Sequence, residues 1–316
     1  MKMKTYFKLL SLGILLTFIA CDKNKDIVLE EEETTDTTST SIDLKITGTG
    51  HYTFDAYEPL SDKPVEVYYH IPDGATSTSP VLMVFHGNGR DALECRDILI
   101  EKSNQYNFLV VVPEFSKTYY PGGDQYNMGN IFEDGDHPSA NTLNDESVWT
   151  FSIVDPLYEH FKTKTGTGVE YYDVFGHSAG GQFVHRFVMF KPNAHFQNIV
   201  AASSGWYTVP DETVEFPYGI GSSPITTAEL APFFSLPLTV MIGEADNDPN
   251  AASLRHNSIV DQQGDDRLER AQYFYTNSQS IALQNGYSFS WVYRSLPNVD
   301  HDFSATSIAA ANILYR

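Results

Sequence analysis

Tyr172–Gly181 reads Tyr-Asp-Val-Phe-Gly-His-Ser-Ala-Gly-Gly, and no other stretch restricts the fold as tightly. A short apolar run ends in Gly176-His177-Ser178-Ala179-Gly180. Gln182–Phe190 follows, with Phe183, Val184, Phe187 and Val188 on one helical face. The chain must leave a strand, turn sharply and enter a helix within a few residues. A Cβ at Gly176 or Gly180 would crowd that turn. Ser178 is then expected at the tip, above a helix N-terminus whose free N–H groups and positive partial charge suit an oxyanion. The five-residue pattern alone is common, and a glycine-rich turn without chemistry is its plain alternative. The rest of the chain decides between them.

The N-terminus reads as a targeting segment. Lys2, Lys4 and Lys8 precede the apolar run Leu9–Ala20, which is too short to span a bilayer. Ile19-Ala20-Cys21 resembles a lipoprotein cleavage site, with Phe18 in place of the usual leucine, so residues 1–21 are expected to be a lipoprotein signal with Cys21 as the lipidation site. An ordinary secretory signal is the alternative. Residues 22–41, with Glu30–Glu33 and a Thr/Ser run, bury too little to fold and read as a self-repelling tether. Residues 42–316 form the expected globular domain. The expected location is the cell envelope, outside the cytoplasm, with the membrane reached through the lipid anchor only.

Charge narrows the partners. The net charge of −21 disfavours nucleic acid, whose phosphates would repel it, and an anionic membrane surface equally. Of the two cysteines, a lipidated Cys21 leaves Cys95 unpaired, so no disulfide framework is expected. Cys95, in a helix-like stretch, reads as a half-buried structural thiol.

Asp43–Phe54 and Val65–Ile71 alternate as half-buried strands. Pro80–Phe85 and Phe108–Pro113 are continuous apolar runs, as buried parallel strands should be. Ala92–Tyr106 reads as a helix, and so does Ser147–Phe161, with Trp149, Ile153, Leu157 and Phe161 four apart. Tyr171–Phe175, Ile199–Ala202, Leu238–Ile242 and Tyr287–Arg294 complete the strands, and Ser304–Tyr315 is a final helix. Repeated β-α units predict an α/β fold: a mainly parallel central sheet with helices on both faces. The long connections Tyr119–Asp145 and Tyr207–Leu236 are expected as lid-like walls over the carboxyl ends of the strands.

A serine hydroxyl needs a base, and the base an orienting acid. Two later strands lead into Gly243-Glu244-Ala245-Asp246-Asn247-Asp248 and into Asp300-His301-Asp302-Phe303. Of the ten histidines, only His256 and His301 follow the first of these loops. His256 lies in Ser253–Val260, which reads as an exposed helix, so His301 is the expected base. Asp246 is the expected acid, with Asp248 as runner-up and Glu244 third. Asp246–Asn250 opens like a calcium loop but lacks its glycine and closing glutamate. Asp134-Gly135-Asp136-His137 reads as a polar loop rather than a metal site, and no metal or cofactor is expected. His86-Gly87-Asn88-Gly89, after an apolar strand, offers a backbone N–H at Asn88, or else Gly89, beside that of Ala179 as an oxyanion hole.

Gly-His-Ser-Ala-Gly-Gly, the His-Gly-x-Gly loop, Gly-x-x-Asp and Asp-His-Asp-Phe, in this order, resemble the α/β-hydrolase superfamily over about Pro64–Tyr315. Within it the chain resembles the secreted polyhydroxybutyrate-depolymerase and feruloyl-esterase-like group. The resemblance implies a serine esterase in which Ser178 attacks, His301 carries the proton and Asp246 orients His301, through an acyl-enzyme. The expected substrate is an ester: a small molecule, a polysaccharide side-chain ester or a polyester. A prolyl-oligopeptidase-like peptidase and a non-catalytic surface binding protein are the rival readings. Tyr119, Tyr120, Tyr126, Trp149, Trp206 and Tyr207 are candidates for stacking on substrate or for packing the lid.

Overall fold

The computed structural model describes residues 44–316. The expected signal segment with Cys21 and the tether 22–41 lie outside the described residues. In chain order the elements are β1 (Gly48–Phe54), β2 (Val65–Ile71), β3 (Val81–Phe85), α1 (Ala92–Tyr106), β4 (Leu109–Glu114), α2 (Val154–Thr165) and β5 (Tyr172–His177). There follow α3 (Ala179–Phe190), β6 (Phe196–Ala202), α4 (Ala231–Phe234), β7 (Leu238–Gly243), α5 (Arg267–Gln284), β8 (Val292–Leu296) and α6 (Phe303–Tyr315).

The strands form one sheet of eight in the order β1-β2-β4-β3-β5-β6-β7-β8. β1 and β2 pair antiparallel, as do β2 and β4, and every later pairing is parallel. Alternate strand residues feed two cores. Leu82, Val84, Val110 and Val200 pack with Cys95 and Leu99 of α1 and Ala310 and Ala311 of α6. Met83, Phe85, Val111 and Ile199 face the opposite side, in one core with Leu157 of α2, Phe183 and Phe187 of α3 and Phe274 of α5. Each large apolar side chain so buried contributes about 1.5–3 kcal/mol. This is the expected parallel sheet with helices on both faces. Cys95 is fully rather than half buried, and burial pushes its thiol pKa up.

Three local expectations need correction. The helix expected over Ser147–Phe161 begins only at Val154; residues 146–148 and 150–153 are 3₁₀ turns separated by extended Trp149. Pro156 explains the late start, because proline is tolerated only in a helix's first turn. The last strand pairs over Val292–Leu296, not Tyr287–Arg294. The aromatic run before it is spent on packing: Phe289 and Trp291 lie against Phe234, and Ser290 N–H donates to the Phe234 carbonyl. Ser253–Val260 is irregular chain and turn rather than α-helix, with Val260 opening a short 3₁₀ turn.

Between β3 and β5 the order of connection reverses. β3 leads to β4 on one side, and β4 crosses to β5 on the other. In such sheets a crevice opens outside the carboxyl ends of the strands at that point. The segments leaving there are His86–Gly89, after β3, and Ser178, after β5.

Candidate active site

Ser178 holds φ +58° and ψ −119°, a conformation that costs a non-glycine residue on the order of 1–3 kcal/mol and persists only where the surroundings over-determine it. The surroundings do so through close approach. A Cβ at Gly180 would lie 1.9 Å from the Phe85 carbonyl oxygen, and one at Gly176 would lie 2.2 Å from the Gly180 oxygen. Gly181 is equally confined, 2.4 Å from the Ala202 oxygen. Ser178 N–H donates to the Ala202 carbonyl at 2.9 Å, and Gln182 N–H to Ser178 O at 3.0 Å. The serine is thus fixed at the start of α3, every residue of which is buried.

His301 Nε2 stands 3.1 Å from Ser178 Oγ, and its Nδ1 stands 2.7 Å from Asp246 Oδ2. The carboxylate and the imidazole meet because their loops are joined through the main chain. Glu244 N–H donates to Leu296 O and Ala245 N–H to Val299 O. Gly243 permits this, since a Cβ there would lie 2.2 Å from the Val299 oxygen. Asp246 is buried, while Asp248 and Glu244 are exposed and bonded to Asn250 N–H and Ser295 Oγ. Burial alone would raise the Asp246 carboxyl. The His301 hydrogen bond and the Arg267 guanidinium outweigh it and hold the pKa below the usual carboxylate range. His256 is turned to Asp261 and Pro249, away from this group.

Gly87 lies beside the serine, where a Cβ would make only ordinary contact, 3.9 Å from Ser178 Cβ. His86 locks this loop. Its Nδ1–H donates to Gly87 O, its Nε2 accepts from Phe115 N–H, and its carbonyl accepts from Tyr126 O–H at 2.6 Å. Burial drives the His86 pKa down to about 3, so the ring stays neutral. Among the described residues, the N–H groups of Asn88 and Ala179 donate to no protein acceptor. Both residues line a cleft of about 540 Å³ together with Ser178 and His301.

The cleft walls are polar. Asn127 and Gln182 are hydrogen-bonded to each other at 2.6 Å, and Asp91, Ser253, Arg255 and Arg267 complete much of the rim. The Tyr119–Asp145 connection supplies Gly123, Asn127 and Met128, as expected of a wall, whereas the Tyr207–Leu236 connection, also expected as a wall, supplies none of the lining residues. Most of the aromatic candidates pack instead. Tyr120, Tyr126, Trp149 and Tyr207 are buried; Trp206 lines the cleft beneath the guanidinium of Arg255, and Tyr119 is exposed. In the Asp134–His137 loop, His137 bonds Asp134 and Asp136 pairs with Arg255. No cluster of His, Cys, Asp and Glu suited to a metal occurs among the described residues.

Sequence reasoning missed two residues that touch this group. His177 is buried with its ring centroid 4.5 Å from that of His301, and burial lowers its pKa to about 3. Arg267, at the start of α5, reaches Asp246. The Asp266-x-x-Glu269 spacing is a helix-start signal that would have located α5; Asp266 does cap the helix by accepting from Glu269 N–H. Chemically, a hydroxyl within reach of an imidazole, itself backed by a buried carboxylate, can attack an acyl carbon and return the proton to the leaving group.

Neither models of protein families nor curated proteins give a match to the chain. Solved structures do. Poly(aspartic acid) hydrolase-1 from Sphingomonas sp. KT-1 is 34% identical, with a TM-score of 0.80 over 85% of this chain and 99% of its own. LpqC, a poly(3-hydroxybutyrate) depolymerase from Bordetella parapertussis, is 30% identical, with a TM-score of 0.79 over 85% and 90%. An IroE-like serine hydrolase from Shewanella oneidensis, 9% identical with a TM-score of 0.55 over 84% and 80%, shares the fold alone.

Proposed function

The chain belongs to the poly(3-hydroxybutyrate)-depolymerase-like group of α/β-hydrolase serine esterases, and on that premise we propose that it cleaves carboxylic esters through an acyl-enzyme on Ser178. The observation that carries this reading is the 3.1 Å approach of His301 Nε2 to Ser178 Oγ. As Ser178 Oγ bonds to the acyl carbon, its proton passes to His301 Nε2. The imidazolium is held by Asp246, and the tetrahedral oxyanion takes hydrogen bonds from the N–H groups of Ala179 and Asn88. Collapse breaks the acyl–oxygen bond, and Nε2 gives its proton to the leaving alcohol. Water then repeats the sequence on the acyl-serine and frees the acid.

Among ester classes, a polyester or its oligomers fits best. The two relatives near one-third identity are named for polymers joined by repeating acyl linkages. The amides of Asn127 and Gln182 beside Ser178 suit the carbonyl groups of neighbouring repeat units. The N-terminal segment supports an enzyme tethered by lipid at Cys21 to the outside of the cytoplasmic compartment. Turnover of an aryl ester and of hydroxybutyrate oligomers tests the reaction: Ser178→Ala should lower it by about 10⁴-fold or more. Retained turnover removes Ser178 from the role. Poly(aspartic acid) in the same assay compares acyl linkages, and preference for it over every ester would displace the ester reading.

A further inference from the structure

Oδ2 of Asp246 faces His301, and its other oxygen is also taken. Oδ1 accepts from Arg267 Nη1 at 3.0 Å, with the two side chains 2% and 6% exposed. Arg267 is the first residue of α5. A cation there opposes the helix dipole, whose positive end is the N-terminus, so helix stability does not account for it. The next residue, Leu268, donates its N–H to the Asp246 main-chain carbonyl at 3.2 Å. The start of α5 therefore grips the main chain and the side chain of the same aspartate.

Resting on the reading of Ser178, His301 and Asp246 given above, we propose that Arg267 is a positioning residue for the reaction: it pins the Asp246 carboxylate so that Oδ2 addresses His301, and its charge limits how strongly that carboxylate draws a proton to the imidazole. A buried carboxylate requires a counter-charge. When His301 is neutral, Arg267 is the cation hydrogen-bonded to Asp246. Tying Oδ1 removes the carboxylate's freedom to rotate and leaves Oδ2 for Nδ1–H. Once Ser178 has passed its proton to Nε2, Asp246 lies between two cations, which favours return of that proton to the leaving group.

His301 faces Ser178 and His177 from β5 and its turn, and Asp246 from the loop after β7, with Asp300 and Asp302 as its own neighbours. Asp246 faces His301 and Arg267, and interacts electrostatically with His177 and Tyr207. Burial would raise the Asp246 carboxyl, and His301 and Arg267 together hold it down.

The test compares Arg267→Gln, which removes the charge, with Arg267→Lys, which keeps it, in the full chain. kcat and KM on an aryl ester are read separately against pH, and denaturation midpoints score folding. We expect R267Q to lower kcat by about 10- to 100-fold with little change in KM. Its acid limb of kcat/KM should move up by about one pH unit. R267K should keep the limb in place and recover part of kcat. An unchanged kcat and limb in R267Q overturns the proposal, and so does a loss confined to KM, which would make Arg267 a substrate contact. If R267Q does not fold, R267K decides: a limb shifted upward despite the retained charge overturns the proposal, and an unshifted limb with lowered kcat supports it. Ser178→Ala in the same assay separates the two levels. An active S178A sinks the underlying reading, whereas an inactive S178A beside a wild-type-like R267Q sinks the role of Arg267 alone.

Discussion

Asp246 Oδ2 lies 2.7 Å from His301 Nδ1, although 55 residues separate the two. The contact depends on main-chain bonds between the loops after β7 and β8, so it is preorganised rather than made on substrate binding. Asp246→Asn keeps the shape but offers an amide where the imidazole needs a carboxylate. We expect kcat on an aryl ester to fall by about 10⁴-fold. Asp248→Asn, at an exposed residue bonded only within its own turn, should stay within about twofold of wild type, as surface substitutions usually do. Equal losses in the two variants would reassign the acid.

Gly180→Ala tests why the turn needs glycine. The added methyl would sit 1.9 Å from the Phe85 carbonyl oxygen and 2.6 Å from its carbon, both main-chain atoms of a central strand. A flexible side chain could move aside, but a strand cannot. We expect a loss of about 1–3 kcal/mol or more in denaturant unfolding, with activity falling alongside. Gly168→Ala, whose nearest neighbour would lie at an ordinary 3.5 Å, should change stability by less than about 0.5 kcal/mol. A Gly180 variant as stable as Gly168→Ala would contradict the close packing described here.

The two glycines of the turn, the strand before it and the helix after it were legible because each follows from a local steric demand. The pairing of Asp246 with His301 was legible as order along the chain, though not the loop junction at Gly243 that enforces it. α5 was not read from the sequence. Its buried residues are Arg267, Arg270, Ala271, Phe274, Ser278 and Ala282, and with Phe274 the one large apolar side chain among them they leave only a faint apolar stripe. Arg267 went unseen with it. The rim aromatics divided by burial, which no local pattern reveals: Tyr126 and Trp149 are as apolar in sequence as exposed Tyr119, but long-range packing takes them inside.

Acid should destabilise the protein through its buried histidines. Burial lowers His86 and His177 to about 3 and takes His185 well below the ordinary value. Between the unfolded pKa near 6.5 and the folded value, the unfolded chain binds more protons, so stability falls as pH drops. It is fully present above about pH 6.5 and is lost progressively toward pH 3, on the order of 1.4 kcal/mol per pH unit for each group. The depressed Asp246 carboxyl adds a loss in the carboxylate range below this. Urea unfolding at pH 7 and pH 5 reads the slope. His177→Gln should show a shallower slope than wild type, and an identical slope would mean that His177 does not titrate on unfolding.

The account stands on Ser178 being the attacking group, and locating a covalent adduct tests that most directly. The full chain is treated with a fluorophosphonate, and the modified residue is found by peptide mass mapping. The adduct should form on Ser178, be absent from Ser178→Ala and form far more slowly in His301→Ala. An adduct at another residue, or none in a protein that still turns over esters, would contradict the account.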